Sequence, residues 1–249
     1  MLNKIGAIIN KINVKPFYDR NPVHNFHSNA YMRHNARRLE HLSSLRISVA
    51  NRSVLEVGAG IGDHSGYFID RGCKITITDA RKENLRYLRD RYPGYEVQFL
   101  DMDNPTSVEG SPFDVVYCYG LLYHLAKPAE ALSFLSQNSK GMLFLETCVS
   151  FGENEEINLI REPRTNPTQA YAGNGCRPTR VWIFKKLQEL FQHVYLPITQ
   201  PNHEEFPIEW DSPEKHTANL QRSIFIASRE KINNEMLTTS LIKAQRRHE

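Results

Sequence analysis

The residues able to do chemistry cluster at the ends of short apolar runs. Glu56 and Asp63 bracket a glycine-rich stretch, Val54-Leu-Glu56-Val-Gly58-Ala59-Gly60-Ile-Gly62-Asp63. Asp79 closes a second run, Asp101-Met102 a third, and His124 follows a fourth. A strand that feeds a glycine-rich turn into a helix lets backbone approach a ligand, with helix-start amides exposed. A dinucleotide site wants GxGxxG, so that pyrophosphate can sit on the helix N-terminus. Here the spacing is GxGxG, and Asp63 stands where the last glycine belongs. A carboxylate there faces a pyrophosphate unfavourably, and Glu56 adds a second negative charge. The pattern suits a ligand with a cationic end.

The elements that must position these residues alternate. Strands are predicted at Ser53–Val57, Lys74–Thr78, Glu96–Leu100, Phe113–Tyr119 and Gly141–Val149. Helical stretches are predicted at 63–71, 81–91 and 128–138, and a further helix at 181–191. Strand–helix alternation with short loops predicts a parallel sheet built from βαβ units. His193–Thr199 and Ser223–Ala227 complete it as a final strand pair. Ahead of the sheet, residues 2–13 show helical spacing, 17–28 read as an ordered loop, and a helix from Asn29 to Leu45 turns Tyr31, Leu39, Leu42 and Leu45 inward. Residues 1–50 thus form a helical extension or lid, and 51–229 the main domain. Insertions at 150–180 and 200–221 break its rhythm, and 230–249 read as a polar tail or peripheral helix.

The segment Glu56 to Gly62 resembles the first motif of class I S-adenosylmethionine-dependent methyltransferases, an acidic residue followed by GxGxG. The resemblance extends through Asp79, Asp101-Met102 and Asp114-Val-Val-Tyr-Cys-Tyr119-Gly120 with Leu122-Tyr123-His124-Leu. It covers 50–150 well and 181–228 in outline. It implies a Rossmann-like α/β fold, a seven-stranded, mostly parallel sheet with its last strand antiparallel and helices on both faces. It also implies S-adenosyl-L-methionine as cofactor, with S-adenosyl-L-homocysteine as product. The implied cofactor contacts are Glu56, Gly58, Ala59, Gly60, Gly62, Asp79, Ala80, Asp101, Met102, Tyr119 and Gly120, with Asp103 an alternative to Asp101. Asp79 corresponds to the family's ribose-binding acid.

Around the reacting groups, His124 is the first candidate for a general base and His203 the second. Tyr123 and Phe151 are expected to line the acceptor pocket with Tyr119. Arg177 either orients the following helix or meets the substrate. Tyr171, Arg161, Arg164 and Arg180 make the first insertion look substrate-facing. A metal-assisted mechanism needs clustered acidic ligands; Asp211 and Glu146 are the loose candidates, so no metal is assigned.

The 249 residues carry Lys+Arg 31 against Asp+Glu 28, a net +3, too small a balance to argue for bulk nucleic-acid binding. Apolar residues make up 40% and aromatics 10%, which excludes global disorder. No run approaches the 18 apolar residues of a membrane span, and the first residues make a poor signal peptide. Cys73, Cys118, Cys148 and Cys176 are far apart with no CxxC pair, as expected of reduced, buried thiols in a cytoplasmic protein. The expected acceptor is a small molecule, such as a sugar or natural-product hydroxyl. RNA is the alternative: Arg177-Pro-Thr-Arg-Val-Trp-Ile loosely resembles tRNA wobble-uridine modifying relatives, and Arg33 to Arg46 could touch phosphate. A non-catalytic cofactor-binding module is a third reading.

Overall fold

The computed structural model describes residues 21–163 and 168–249. The helix expected at 2–13, the first 20 residues of the proposed 1–50 extension and Arg164 lie outside them. Within 17–28, the described part contains a short helix, α1 (Pro22–Phe26), where a loop was expected. Proline at its first position and an Asn21 side chain accepting from the Val23 amide at 3.0 Å start it. Ser28 caps α2 (Asn29–Ser44) in the same way.

The main domain then alternates β1 (Ser53–Val57), α3 (Ser65–Ile69), β2 (Lys74–Asp79), α4 (Lys82–Arg91), β3 (Glu96–Phe99), β4 (Phe113–Tyr119), α5 (Pro128–Gln137) and β5 (Ser139–Val149). The first insertion contributes a small antiparallel pair, β6 (Leu159–Arg161) and β7 (Asn174–Cys176). There follow α6 (Arg180–Leu190), β8 (His193–Pro197), β9 (Thr199–Gln200), β10 (Gln221–Ser228), β11 (Leu237–Thr238) and β12 (Arg246–Arg247).

The main sheet runs β11-β8-β10-β5-β4-β1-β2-β3. Its β3-β2-β1-β4-β5 part is parallel, and β10 is antiparallel to both neighbours. This is the expected mostly parallel sheet plus an eighth strand, β11, two residues long and antiparallel to β8. Period-two alternation splits the core between the faces. Leu55 and Val57 of β1 pack with Leu132 and Leu135 of α5 and Ile183 and Leu187 of α6. Val54 packs on the other side with Leu42 of α2, Phe68 of α3 and Leu85 and Leu88 of α4.

The tail departs from expectation. No helix forms in 230–249; the segment lies along the body in extended pieces. Gln245 is buried, donating to Pro197 O at 2.7 Å and accepting from Trp210 Nε1 at 2.7 Å. Arg247 Nη1 donates to the carbonyls of Pro201, His203 and Phe206. Polar side chains here satisfy backbone groups of the second insertion. The four cysteines are free and buried. No helix of the described residues is long and apolar enough to cross a membrane.

Candidate active site

The strand order reverses between β1 and β4, and in open α/β sheets ligands bind beyond the carboxyl ends of strands at such a point. The Gly58–Gly62 turn follows β1 there, and the segment Gly120–Leu125 follows β4. Gly58, Gly60 and Gly62 have φ of 71°, 60° and 79°, a left-handed run that side chains strongly disfavour. The cleft beside this turn encloses about 1000 Å³ out to its open mouth.

Asp79, at the end of β2, organises the floor. Its Oδ2 accepts from the Gly60 amide at 2.9 Å, and its Oδ1 from the Arg81 amide and Asn84 Nδ2 at 2.8 and 3.1 Å. Burial nonetheless pushes its pKa up. Glu56 is 2% exposed, accepts from Ser65 Oγ, and burial raises its pKa to about 7. Asp63 is neutralised from outside by Arg91 at 2.7 Å and His27 at 3.3 Å. Asp101 and Asp103 both line the cleft. Asp103 accepts from the Ala126 amide at 2.8 Å and so pins the segment after β4 to the end of β3.

His124 sits in a 3-10 turn, Leu122–His124, in the cleft wall. Its Nδ1 lies 2.5 Å from Glu162 Oε2. Despite burial, hydrogen bonds from His124 and the Ala170 amide, with the Arg177 charge, hold Glu162 below the usual carboxylate range. An ionised carboxylate only accepts, so the neutral ring carries its proton on Nδ1 and its lone pair on Nε2. Burial lowers the His124 pKa. Glu162 also takes the Ala170 amide at 2.8 Å and Arg177 Nη2 at 3.2 Å. Tyr123 stacks beside the imidazole, ring centroids 3.8 Å apart.

Behind this wall lies a buried charge network. Glu146 of β5 is fully buried between Arg38 of α2 and Arg222 of β10. Arg222 also meets Glu205 at 2.6 Å and lies over the Tyr123 ring at 5.0 Å. Burial raises the Tyr119 and Tyr123 phenols well above their ordinary range. The buried Tyr119 hydroxyl, His64 Nε2 and Asn84 Oδ1 have no hydrogen-bond partner among the described residues, and all three belong to cleft-lining side chains.

Most of the expected contacts converge: Glu56, Gly58, Ala59, Gly60, Asp79, Ala80, Asp101, Met102, Tyr119, Gly120, Tyr123 and His124 border one cleft. Gly62 does not; a Cβ there meets Tyr92 at 2.6 Å and Leu88 at 2.7 Å, so its bareness serves packing. Phe151 lies elsewhere, 5.6 Å from Trp210 in a second cavity. Arg177 holds Tyr123 O, Cys176 O and Glu162 from outside the cleft, and Thr179, not Arg177, caps α6. His203 is also outside. It packs against His34 (centroids 4.8 Å apart) and, with Glu205, forms a trio whose ligating atoms lie within 4.8 Å of one another. Glu205 in that trio is engaged by Arg222. Glu146 is closed off by two guanidinium groups, and Asp211 borders the second cavity. Arg38 meets Glu146, so it offers no phosphate contact, and Arg33 and Arg37 pair with Glu204 and Glu40.

Sequence reasoning missed the α1–α2 wall: Phe26, Tyr31, Asn35 and Arg38 border the cleft. Tyr171, expected to face the substrate, does border the cleft, and its neighbours Thr168 and Gln169, which were not singled out, border it too, tied down by Arg81 Nη2 donating to Gln169 O at 2.8 Å.

A glycine turn after β1, an acid ending β2 and a cleft at the reversal point are the parts of a Rossmann-like α/β domain. The family described as "Methyltransferase domain" matches residues 54–139. Among curated relatives, a tRNA U34 carboxymethyltransferase of Vibrio vulnificus is 28% identical over 154 residues, 58% of this chain and 46% of that protein. One from Shewanella sediminis is 33% identical over 140 residues, 51% of this chain and 39% of that protein. The chain thus spans about half the length of the curated relatives it matches. Two solved structures share the fold. The N-terminal domain of EvdMO1, crystallised with S-adenosylhomocysteine and D-fucose, has a TM-score of 0.61 at 18% identity over 79% of this chain and 83% of that one. An S-adenosylmethionine-dependent methyltransferase from Mesorhizobium loti scores 0.56 at 16% identity, covering 79% of this chain and all of that one, 100%.

Proposed function

We propose that the protein binds S-adenosylmethionine in this cleft and methylates a hydroxyl of a small-molecule acceptor. The observation that carries the reading is the Gly60–Asp79 tie beneath a cleft lined by buried, unpartnered polar atoms. Asp79 Oδ2 retains a lone pair for a ribose hydroxyl. Asp101 and Met102 border the adenine side. The cofactor supplies an electrophilic methyl on a sulfonium centre. The protein aligns the acceptor for in-line attack and excludes water. His124 Nε2, held in the right tautomer by Glu162, takes the hydroxyl proton.

The small-molecule acceptor is supported by how the arginines around the cleft are engaged. Arg38 and Arg222 face Glu146, Arg91 faces Asp63, Arg177 faces Glu162 and Arg33 faces Glu204. None of these is left to bind a phosphate backbone. The relatives' names favour a second reading, alkyl transfer to a tRNA uridine. Calorimetric titration should give saturable binding of S-adenosylhomocysteine and none of NAD; the reverse sinks the cofactor assignment. Incubation with labelled cofactor should methylate hydroxylated small molecules and leave unfractionated tRNA unlabelled. Label appearing in tRNA, with binding that weakens steeply with salt, decides for the second reading.

A further inference from the structure

A second cavity lies between Phe151, Arg180, Trp210 and Ile242, about 580 Å³ out to its mouth. Arg180, the first residue of α6, is 5% exposed. Its guanidinium lies 3.9 Å from the Trp210 ring centroid, and Nη1 donates to Ile242 O at 3.2 Å. Its Nε and Nη2 are shielded from solvent and have no partner among the described residues, and neither carboxylate bordering the cavity, Glu153 or Asp211, hydrogen-bonds to them. Those two nitrogens form one edge of the guanidinium, the edge that receives a carboxylate or phosphate through two parallel hydrogen bonds. A shielded cation with no counter-charge is unfavourable unless an anion joins it. Desolvation alone pulls its pKa down, to about 9, which is what a guanidinium without an anionic neighbour shows.

The walls describe the rest of the ligand. Trp210 and Phe151 stand 5.6 Å apart at 50°, and His216 lies 5.7 Å from Phe151. Val181 and Leu241 extend the apolar surface. The rim pair Glu153–Lys243 is closed on itself at 2.6 Å. We propose that this cavity is a binding site for an oxyanion, carboxylate or phosphate, carried on a flat apolar body, with Arg180 holding the anion and Trp210 and Phe151 the ring. The Cys176–Arg180 segment links the site to the back of the cleft wall: Ser150 bridges to Thr179, and Arg177 lies over the Tyr123 ring. The inference does not depend on the methyl-transfer reading, because cofactor binding is measured separately below.

The test titrates the full chain with benzoate and with phenyl phosphate, following tryptophan fluorescence and melting temperature. Benzamide and phenol serve as neutral counterparts. Saturable quenching and stabilisation by one of the anions, and not by its neutral counterpart, is expected; which anion prevails separates carboxylate from phosphate recognition. Arg180→Gln should weaken the anion roughly ten- to a hundredfold, the range of a lost charge-assisted contact, while S-adenosylhomocysteine affinity stays unchanged. Arg180→Met should melt above wild type without anion and lose the anion-induced rise. Trp210→Leu keeps the cation and should weaken benzoate while leaving acetate as it was. Equal responses from wild type and Arg180→Gln, or no saturable response to either anion up to about 10 mM, a Kd range of only a few kcal/mol, overturn the proposal.

Discussion

The amide of Gly60 donates to Asp79 Oδ2 at 2.9 Å, joining the turn after β1 to the end of β2. One carboxylate therefore shapes the loop and borders the cleft. Asp79→Ala should weaken S-adenosylhomocysteine roughly ten- to a hundredfold by loss of a charge-assisted contact. Asp79→Asn, which keeps an oxygen for Gly60, should lie between the two. Calorimetry on all three proteins checks the order; equal affinities in wild type and Asp79→Ala remove Asp79 from the site.

Gly60 faces the ring of Phe26, and a Cβ there would stand 3.0 Å from it. Gly60→Val should therefore abolish cofactor binding through two causes, left-handed backbone strain of about 1–2 kcal/mol and displacement of α1. Phe26→Ala in that background should recover part of the melting temperature by relieving the second cause. If the double variant melts no higher than the single one, α1 does not press on the turn.

Glu146→Gln leaves Arg38 and Arg222 facing each other without their shared anion. Removing one partner of a buried pair typically costs about 3–5 kcal/mol, a drop in melting temperature on the order of 10 °C for a chain of this size. A change of only one or two degrees would mean that the network contributes little.

Burial raises the Glu56 pKa to about 7, against about 4.5 in the unfolded chain. The folded state thus binds the extra proton. The neutral-acid contribution is fully present below about pH 4.5 and is lost as pH rises through about 7. Glu56→Gln stays neutral throughout, so it should gain stability relative to wild type between about pH 5 and 8, by up to about 1.4 kcal/mol per pKa unit shifted. Melting curves across that range read the difference; a constant offset contradicts it.

His124 should titrate below the ordinary histidine value, because burial outweighs the Glu162 anion. The acid limb of kcat then falls below pH 6.5. His124→Ala should lower kcat by roughly 10²–10⁴ with cofactor affinity retained. Glu162→Gln removes the anion that raises the His124 pKa, so it should move the acid limb to lower pH. An unmoved limb assigns it to another group.

The parallel sheet was legible because β-branched runs end at Gly58, Asp79, Asp101 and Gly120, and local sequence carries both the strand and its stop. The buried polar side of α2 was not. Helical spacing pointed to Tyr31, Leu39, Leu42 and Leu45, and Leu42 and Leu45 are indeed buried, but so are the polar His34, Asn35, Arg38 and His41. Their burial depends on partners far away in the chain: Arg38 meets Glu146, 108 residues on, and His41 reaches Thr199. No local pattern announces such pairs. Phe151 failed for a similar reason, since its neighbour Trp210 comes from the other insertion. The tail looked soluble by composition, but its polar groups find backbone carbonyls, a match that hydropathy does not register.

Four buried thiols should leave the native protein slow to react with alkylating reagents. Attack on Cys118 or Cys148, each at 1% exposure or less, needs the fold to open, so labelling time courses in native buffer become a clock for unfolding. The same slowness permits site-selective chemistry without first removing any cysteine. Tyr171, half exposed at the mouth of the cleft, is a natural place to introduce a single reactive thiol. A dye attached there would report ligand arrival against a dark background.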